Sequence, residues 1–346
     1  MADLFEYLLK LRHELNRERK EIMETVQRES VPRLSRGVAF IALFLAVAML
    51  VFVWSVPQVG AASQELFSSP EDAMKALVKA VKAKDKSALD QIFGDAAKEL
   101  LSGDEVQDAA EFEAFTKHVA EKADLVKDSD SKVTLRIGTE DWPFPIPIVR
   151  KGDRWFFDTA AGKEEILNRR VGENELITIL VCRTYVKAQR EYAIKDWNGD
   201  GVVAYAQKLR SDPGKKNGLF WRAAPGEELS PLGELVAQAR MEGYKKGKSL
   251  FKEKPTPFHG YYFKILTRQG RNTPGGKYNY VINGNMVGGF ALVAFPSNWG
   301  KSGVMTFIVN QQGKVYQKNI GPNTLKIAQE MKGYNPDQTW TPVPDK

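Results

Sequence analysis

One short polar loop has the residue types and spacing that bind calcium. The segment DWNGDG places side-chain oxygens at positions 1, 3 and 5, and its last glycine permits a sharp turn. Position 12 is Gln207, where a complete EF-hand has a bidentate glutamate. The sequence therefore predicts a weak calcium site, with a polar turn between two helices as the alternative. Its ligands would be Asp196, Asn198, Asp200 and the carbonyl of Val202.

A strongly basic segment follows in the second half of the chain. Between Arg240 and Lys277 there are ten basic residues and two acidic ones, with aromatic residues between them. In a protein outside the cytoplasm, this pattern favours an anionic envelope polymer or an acidic envelope protein over nucleic acid. A solvated face that aids solubility is the alternative. The predicted anion-binding residues are Lys245, Lys246, Lys248, Lys252, Lys254, Arg268 and Arg271.

The remaining motifs do not predict catalytic residues. Gly300-Lys301-Ser302 resembles the end of a phosphate loop, but Phe295 stands where that loop needs glycine. Cys182 follows Leu180-Val181 on an apolar helix and is expected to be a buried, unreactive thiol. His118 and His259 belong to no nucleophile motif, and neither GxSxG nor HExxH occurs in the sequence.

A charged group at the start of a long predicted helix has two interpretations. It could form a polar site, but ion pairs on a helix surface explain the same spacing. The residues are Glu164, Glu165, Arg169 and Arg170.

An apolar segment near the N-terminus predicts where the protein works. No charged residue occurs from Gly37 to Ser63, and roughly 20 apolar residues suffice to span a bilayer. Arginines precede this segment, which favours a cytoplasmic N-terminus. We therefore predict a cytoplasmic amphipathic leader over residues 1–36 and a transmembrane or signal segment over 37–58. The rest of the chain is expected to be exported to the periplasm and anchored in the cytoplasmic membrane.

Two alternatives stay open at this segment. Small residues at Val59-Gly60-Ala61 suit signal peptidase, so the segment could be cleaved rather than retained. A start at Met23 would give a conventional signal peptide, so the true N-terminus could lie there.

Residues 65–162 are expected to form an α+β domain. Ser69-Pro70-Glu71-Asp72 is typical of a helix start, and a second helix is predicted over Ser87–Phe93. The alternation from Lys132 to Ile137 predicts a strand. Prolines at alternate positions from Pro143 to Pro147 would remove the N–H groups on one side, which predicts an edge strand.

Residues 163–346 are expected to form a long helix followed by an antiparallel meander. The helix should run from Gly162 to about Ile194 with a buried stripe, and Gly172 could mark a kink or a domain junction. Short helices are predicted near Val203–Leu209 and Leu232–Met241. Asn283-Gly284 predicts a type I′ hairpin within the strand-rich end of the chain. The predicted stripe is Leu176, Leu180, Val181, Tyr185, Ala188 and Tyr192.

Several longer motifs resemble one bacterial family. FDTAAGKEEILNRRVGENEL, GYYFKILTRQG, NGNMVGGFALVAFP and GVMTFIVNQQGKVYQKNIGPNT are similar to the domain of unknown function 2950 family, over roughly Leu66 to Trp340. That resemblance implies export and the order of the two halves, and it implies no chemistry. At the level of fold, the second half resembles the globular part of a type IV pilin. The first half resembles cone-shaped nuclear transport factor two-like domains.

Composition sets the outer limits of these interpretations. The 346 residues carry 50 basic and 43 acidic side chains, and 43 % of them are hydrophobic. These values exclude a wholly disordered chain and a multi-span membrane protein, and one cysteine excludes a disulfide scaffold. We expect a non-enzymatic envelope protein that binds a partner or polymer. The alternative is a hydrolase-like enzyme with a pocket in the first domain, which a deep cavity in residues 66–160 would favour.

Overall fold

The computed structural model describes residues 64–242, Tyr244 and residues 256–344. The predicted leader and membrane segment, residues 1–36 and 37–58, lie outside this range. The described residues belong to one compact unit. Within the described ranges, no helix has the length and apolar character needed to cross a membrane.

The first helix, α1, starts where the sequence predicts. The Ser69 side chain accepts the Asp72 N–H at 3.1 Å, and Pro70 occupies the first turn, where its missing N–H costs nothing. Lys84 ends the helix in the left-handed conformation, with φ of 52°. The helices of the described residues are α1 (Pro70–Ala83), α2 (Lys86–Phe93), α3 (Glu105–Glu121), α4 (Thr159–Tyr192), α5 (Gly233–Met241) and α6 (Thr324–Glu330), with a 3₁₀ helix at Asp95–Leu100.

A first antiparallel sheet packs against α1 to α3. Its strand order is β1-β2-β4-β5, and β3 also pairs with β2. Helices packed on an antiparallel sheet confirm the α+β class. The strands are β1 (Ala123–Ser129), β2 (Lys132–Ile137), β3 (Trp142–Pro143), β4 (Ile148–Lys151) and β5 (Arg154–Phe157).

The proline-rich segment is not the edge strand that the sequence predicts. Its two ends, β3 and β4, both pair with β2, and β4 also pairs with β5. Pro145 lies between them, outside any strand. The Phe144 N–H still donates inward to the Leu135 carbonyl at 2.7 Å. The prolines therefore divide one strand into two pieces, because proline lacks the N–H group that a continuous strand within a sheet needs.

Phenylalanine rings fill the space between these helices and the first sheet. The Phe144 ring lies 5.1 Å from Phe115 and 6.1 Å from Phe93, measured between centroids. Phe157 is fully buried and meets Phe93 edge-on at 5.4 Å. Such tilted and stacked rings bury large apolar areas. Together with buried aliphatic side chains such as Leu77 and Ile148, they make up the first hydrophobic core.

The long helix α4 belongs to both halves of the compact unit. Asp158 caps its first turn by accepting the Ala161 N–H at 3.0 Å, and the helix continues through Gly172 without interruption. The predicted buried stripe holds from Val181 to Tyr192, but Leu176 is exposed. Polar residues take buried positions of the helix instead, among them Asn174, Thr178 and Gln189.

A second antiparallel sheet packs against the C-terminal half of α4. Its strand order is β15-β13-β12-β11-β6, and a small sheet β14-β7-β8 lies beside it. The second hydrophobic core lies between this sheet and α4. The strands are β6 (Tyr261–Leu266), β7 (Arg268–Gln269), β8 (Tyr278–Asn279), β9 (Val281–Ile282), β10 (Asn285–Met286), β11 (Ala291–Pro296), β12 (Met305–Asn310), β13 (Tyr316–Asn319), β14 (Gly333–Tyr334) and β15 (Thr341–Pro342).

Local turn chemistry is confirmed in this half, and one helix prediction is wrong. Asn283 and Gly284 join β9 to β10 with φ of 49° and 84°, as a type I′ turn requires. The residues from Val203 to Leu209 do not form a helix. The Tyr205 N–H donates to the Met286 carbonyl at 2.8 Å, so this segment pairs with the hairpin instead.

Candidate functional site

The predicted calcium loop follows directly after α4. Both carboxylates accept hydrogen bonds from the loop itself: Asp196 from the N–H groups of Asn198, Gly199 and Gly201, and Asp200 from the Val202 N–H. The Gly201 N–H contributes most to holding the pKa of Asp196 below its usual range. This arrangement fits either a calcium loop or a self-contained polar turn, and the calcium site stays a prediction. No group of three or more His, Cys, Asp or Glu side chains in the described ranges is arranged to hold a metal ion.

An aromatic stack lies next to this loop and was not predicted from the sequence. The Trp197 ring is 4.7 Å from Trp221 and 6.0 Å from Tyr192, and its Nε1–H donates to the Tyr192 carbonyl at 2.8 Å. The Lys195 Nζ lies 3.8 Å from the centre of the Trp197 ring. The loop is therefore attached to the end of α4 through the side chain of its second residue.

One buried polar cluster joins distant parts of the chain. Asp104, only 1 % exposed, caps α3 and accepts the Tyr244 hydroxyl at 2.8 Å. That hydroxyl accepts the His259 N–H at 3.0 Å, and the His259 ring lies 2.9 Å from a Glu242 carboxylate oxygen. The Tyr244–Asp104 bond spans 140 residues of sequence, so no local motif could have predicted it.

A second buried group connects α3, α4 and the second sheet. Asn174 exchanges hydrogen bonds with the Gln107 side chain and donates to the Ser302 carbonyl at 2.9 Å. The Val304 and Met305 N–H groups both donate to Glu175 at 2.9 Å. Every one of these polar atoms has a partner, so the arrangement positions elements rather than exposing reactive groups.

The charged group at the start of α4 does not form one polar site. Arg169 pairs with Glu165 at 2.6 Å on the helix surface. Arg170 turns inward, where it makes a two-point contact with Glu111 and donates to the Leu100 carbonyl. Three of the four predicted residues therefore divide between an ion pair along the helix and a buried connection to α3, and the fourth, Glu164, is exposed.

The remaining candidates are a buried thiol and a surface histidine. Cys182 is fully buried, which confirms the predicted burial, and burial raises the pKa of its thiol to about 12. His118 pairs with Glu121 at 3.5 Å on the surface of α3.

The predicted basic segment is described only at its ends. Arg268 and Arg271 are exposed, while Lys245, Lys246, Lys248, Lys252 and Lys254 lie outside the described residues. The residues on either side of this gap, Tyr244 and His259, contact one another.

An open groove lies between α1 and the junction of α3 with β1. Its volume is about 790 Å³, and three lysines stand along α1 at helical spacing beside an apolar floor. That spacing of Lys75, Lys79 and Lys82 was the sequence signal that could have found it. We call it the lysine groove, with lining residues Met74, Lys75, Val78, Lys79, Lys82 and Val119.

Comparison with models of protein families gives a match over most of the chain. The family model described as protein of unknown function (DUF2950) matches residues 64–343. No curated protein and no solved structure matches the chain.

Proposed function

The chain belongs to this DUF2950 family, and on that premise we propose that it is a non-enzymatic binding module of the cell envelope. The observation that carries the proposal is the filling of the first core by aliphatic side chains and phenylalanine rings. An enzyme working in residues 66–160 needs a cavity with convergent polar groups, and side chains occupy that interior. The lysine groove is open and lies beside this core, which suits docking better than enclosing a small substrate.

The proposed partner is an anionic polymer or an acidic protein of the envelope. The support is the charge of the segment from Arg240 to Lys277, which contains ten basic residues and only two acidic ones. Tyr244 and His259, on either side of the undescribed part, are both tied to the buried Asp104 cluster. These contacts connect the described residues on either side of that part to the well-packed body of the protein.

The proposed location is the periplasmic face of the cytoplasmic membrane. Its support is the uncharged segment from Gly37 to Ser63 with arginines before it. An alkaline phosphatase domain fused after Gln64 should be active if this segment exports the body. An inactive fusion that is made in normal amounts would contradict export.

Binding is tested with lipopolysaccharide as the anionic probe. Lys245→Glu combined with Lys246→Glu and Lys248→Glu should raise the dissociation constant about tenfold or more, because attraction becomes repulsion at three positions. The matched control reverses Lys151, Lys326 and Lys332, which are exposed elsewhere. Equal weakening by both triple variants would show a response to net charge alone and would contradict a specific basic site.

A further inference from the structure

The lysine groove has an excess of positive charge, because Glu121 is the one carboxylate among its lining residues, beside Lys75, Lys79, Lys82 and Lys122. Lys75, Lys79 and Lys82 are exposed, and no ion pair joins them to a carboxylate among the described residues. Met74 and Val78 are half-buried between them and pack on the first core. Val119, at 2 % exposure, closes the far side. The groove therefore suits an occupant with exposed apolar side chains and a negative rim.

The same chain presents such a surface at the end of α4. Ile194 and Leu229 are 71 % and 69 % exposed, a high value for large aliphatic side chains. An ion pair between Lys195 and Glu228 brings together the two chain segments that carry Ile194 and Leu229. We call this surface the acidic patch, made up of Glu191, Ile194, Glu228, Leu229 and Glu234.

Negative charge in the acidic patch is only partly compensated. Partial burial raises the pKa of Glu191, and the nearby Glu234 and Glu228 carboxylates raise it further. Among the described residues, one of these three glutamates has an ion-pair partner: Glu228 pairs with Lys195. A cationic partner would relieve this repulsion, just as an anionic one would neutralise the groove.

The groove and the acidic patch lie towards opposite ends of α4, so they cannot meet within one molecule. The first core meets the start of α4, where the Thr159 hydroxyl donates to the Phe93 carbonyl at 2.8 Å. Ile194 follows the last turn, and the 34 residues between make a helix about 50 Å long.

We propose that the acidic patch of one copy docks into the lysine groove of a second copy. Three glutamates then face three lysines, and two aliphatic side chains cover the apolar floor. The two surfaces differ, so the contact is head-to-tail and extends into a ring or a filament. This proposal is independent of the basic segment and of its anionic partner.

The first test measures self-association of the full chain in a mild detergent by sedimentation. Lys75→Glu with Lys79→Glu should weaken association about tenfold, as should Glu191→Lys with Glu234→Lys, because each pair of changes makes like charges face each other. Mixing the two variants should restore association, because each then meets an oppositely charged surface. The Lys326→Glu and Lys332→Glu variant is the matched control and should behave as the wild type.

The second test identifies the contacting surfaces by cross-linking. A tagged chain with Lys79→Cys is mixed with an untagged chain with Leu229→Cys. The native Cys182 should not form cross-links, because it is buried. A mixed adduct should exceed both homodimers and the adduct from a Lys326→Cys control. Lys79-to-Lys79 adducts alone would indicate a symmetric contact and would overturn the proposal.

Other outcomes also overturn it. A wild-type chain that stays monomeric, or a groove variant that associates normally, excludes the head-to-tail contact. A monomeric chain that binds phosphatidylglycerol vesicles through Lys75 and Lys79 would make an anionic lipid the occupant. Lipopolysaccharide binding through the basic segment should survive the groove changes, so failure of one proposal is distinguishable from failure of the other.

Discussion

At the scale of single residues, backbone conformation decides what two glycines tolerate. Gly284 has φ of 84° in the hairpin turn, whereas Gly172 lies within the continuous helix α4. A Cβ added at either position meets no atom within 4 Å. Any difference between substitutions at the two sites therefore comes from backbone strain and not from crowding.

We expect Gly284→Val to destabilise the fold by about 1–3 kcal/mol, because it holds a β-branched residue at positive φ. Gly172→Ala, the control, should stabilise by about 0.5–1 kcal/mol, since alanine is the better helix former. Denaturant unfolding of both variants measures the two effects. An unchanged midpoint for Gly284→Val would contradict the strained turn.

Calcium binding is a second prediction at the residue scale. The melting temperature should rise in 5–10 mM calcium. At ten times the dissociation constant, binding adds about 1.4 kcal/mol to the free energy of unfolding. Trp197 lies inside the loop, so its fluorescence should change at the same time. Asp200→Ala should abolish both responses, while Asp153→Ala, in a fully exposed turn, should keep them. No response, or an equal response to magnesium, would leave the polar turn as the interpretation.

At the scale of elements, buried hydrogen bonds decide how α3, α4 and the second sheet meet. Asn174 is fully buried and contacts both Gln107 on α3 and the Ser302 carbonyl. Its neighbour Glu173 is exposed on the other side of the same helix. Substituting Asn174 and Glu173 in turn therefore compares a buried and an exposed residue at adjacent positions of α4.

Asn174→Ala should cost about 1–3 kcal/mol, because it leaves the buried Gln107 amide and a carbonyl without partners. Glu173→Ala should change the free energy of unfolding by less than about 0.5 kcal/mol. Chemical denaturation compares the two variants. An equal loss in the free energy of unfolding for both variants would show that water replaces the hydrogen bonds of Asn174.

Elements set by nearby residues were predicted well from the sequence. The Ser69 cap and the Asn283-Gly284 turn depend on residues within three positions of each other, and both are confirmed. The segment from Val203 to Leu209 was predicted wrongly because its partner, Met286, is far along the chain. The Asp104 cluster was missed for the same reason. Arg170 could be recognised as charged, but not as buried against Glu111.

At the scale of the whole molecule, α4 contributes to both hydrophobic cores. The sequence predicts separate domains over 65–162 and 163–346, whereas one helix and the Asn174 and Arg170 contacts connect them. We expect a single calorimetric unfolding transition, with equal calorimetric and van't Hoff enthalpies. Two resolved transitions would instead support the two predicted domains.

The uninterrupted helix also limits how the length of this chain can vary. Deleting one residue near Gly172 would turn everything after it by about 100° and shift it by about 1.5 Å. Gly162, which packs against the first core, and Tyr185, which packs in the second core, could then no longer both point towards their cores. Seven residues make nearly two full turns, with an angular error of only about 20°. Relatives of different length should therefore carry their insertions outside α4, or gain and lose them within it seven at a time.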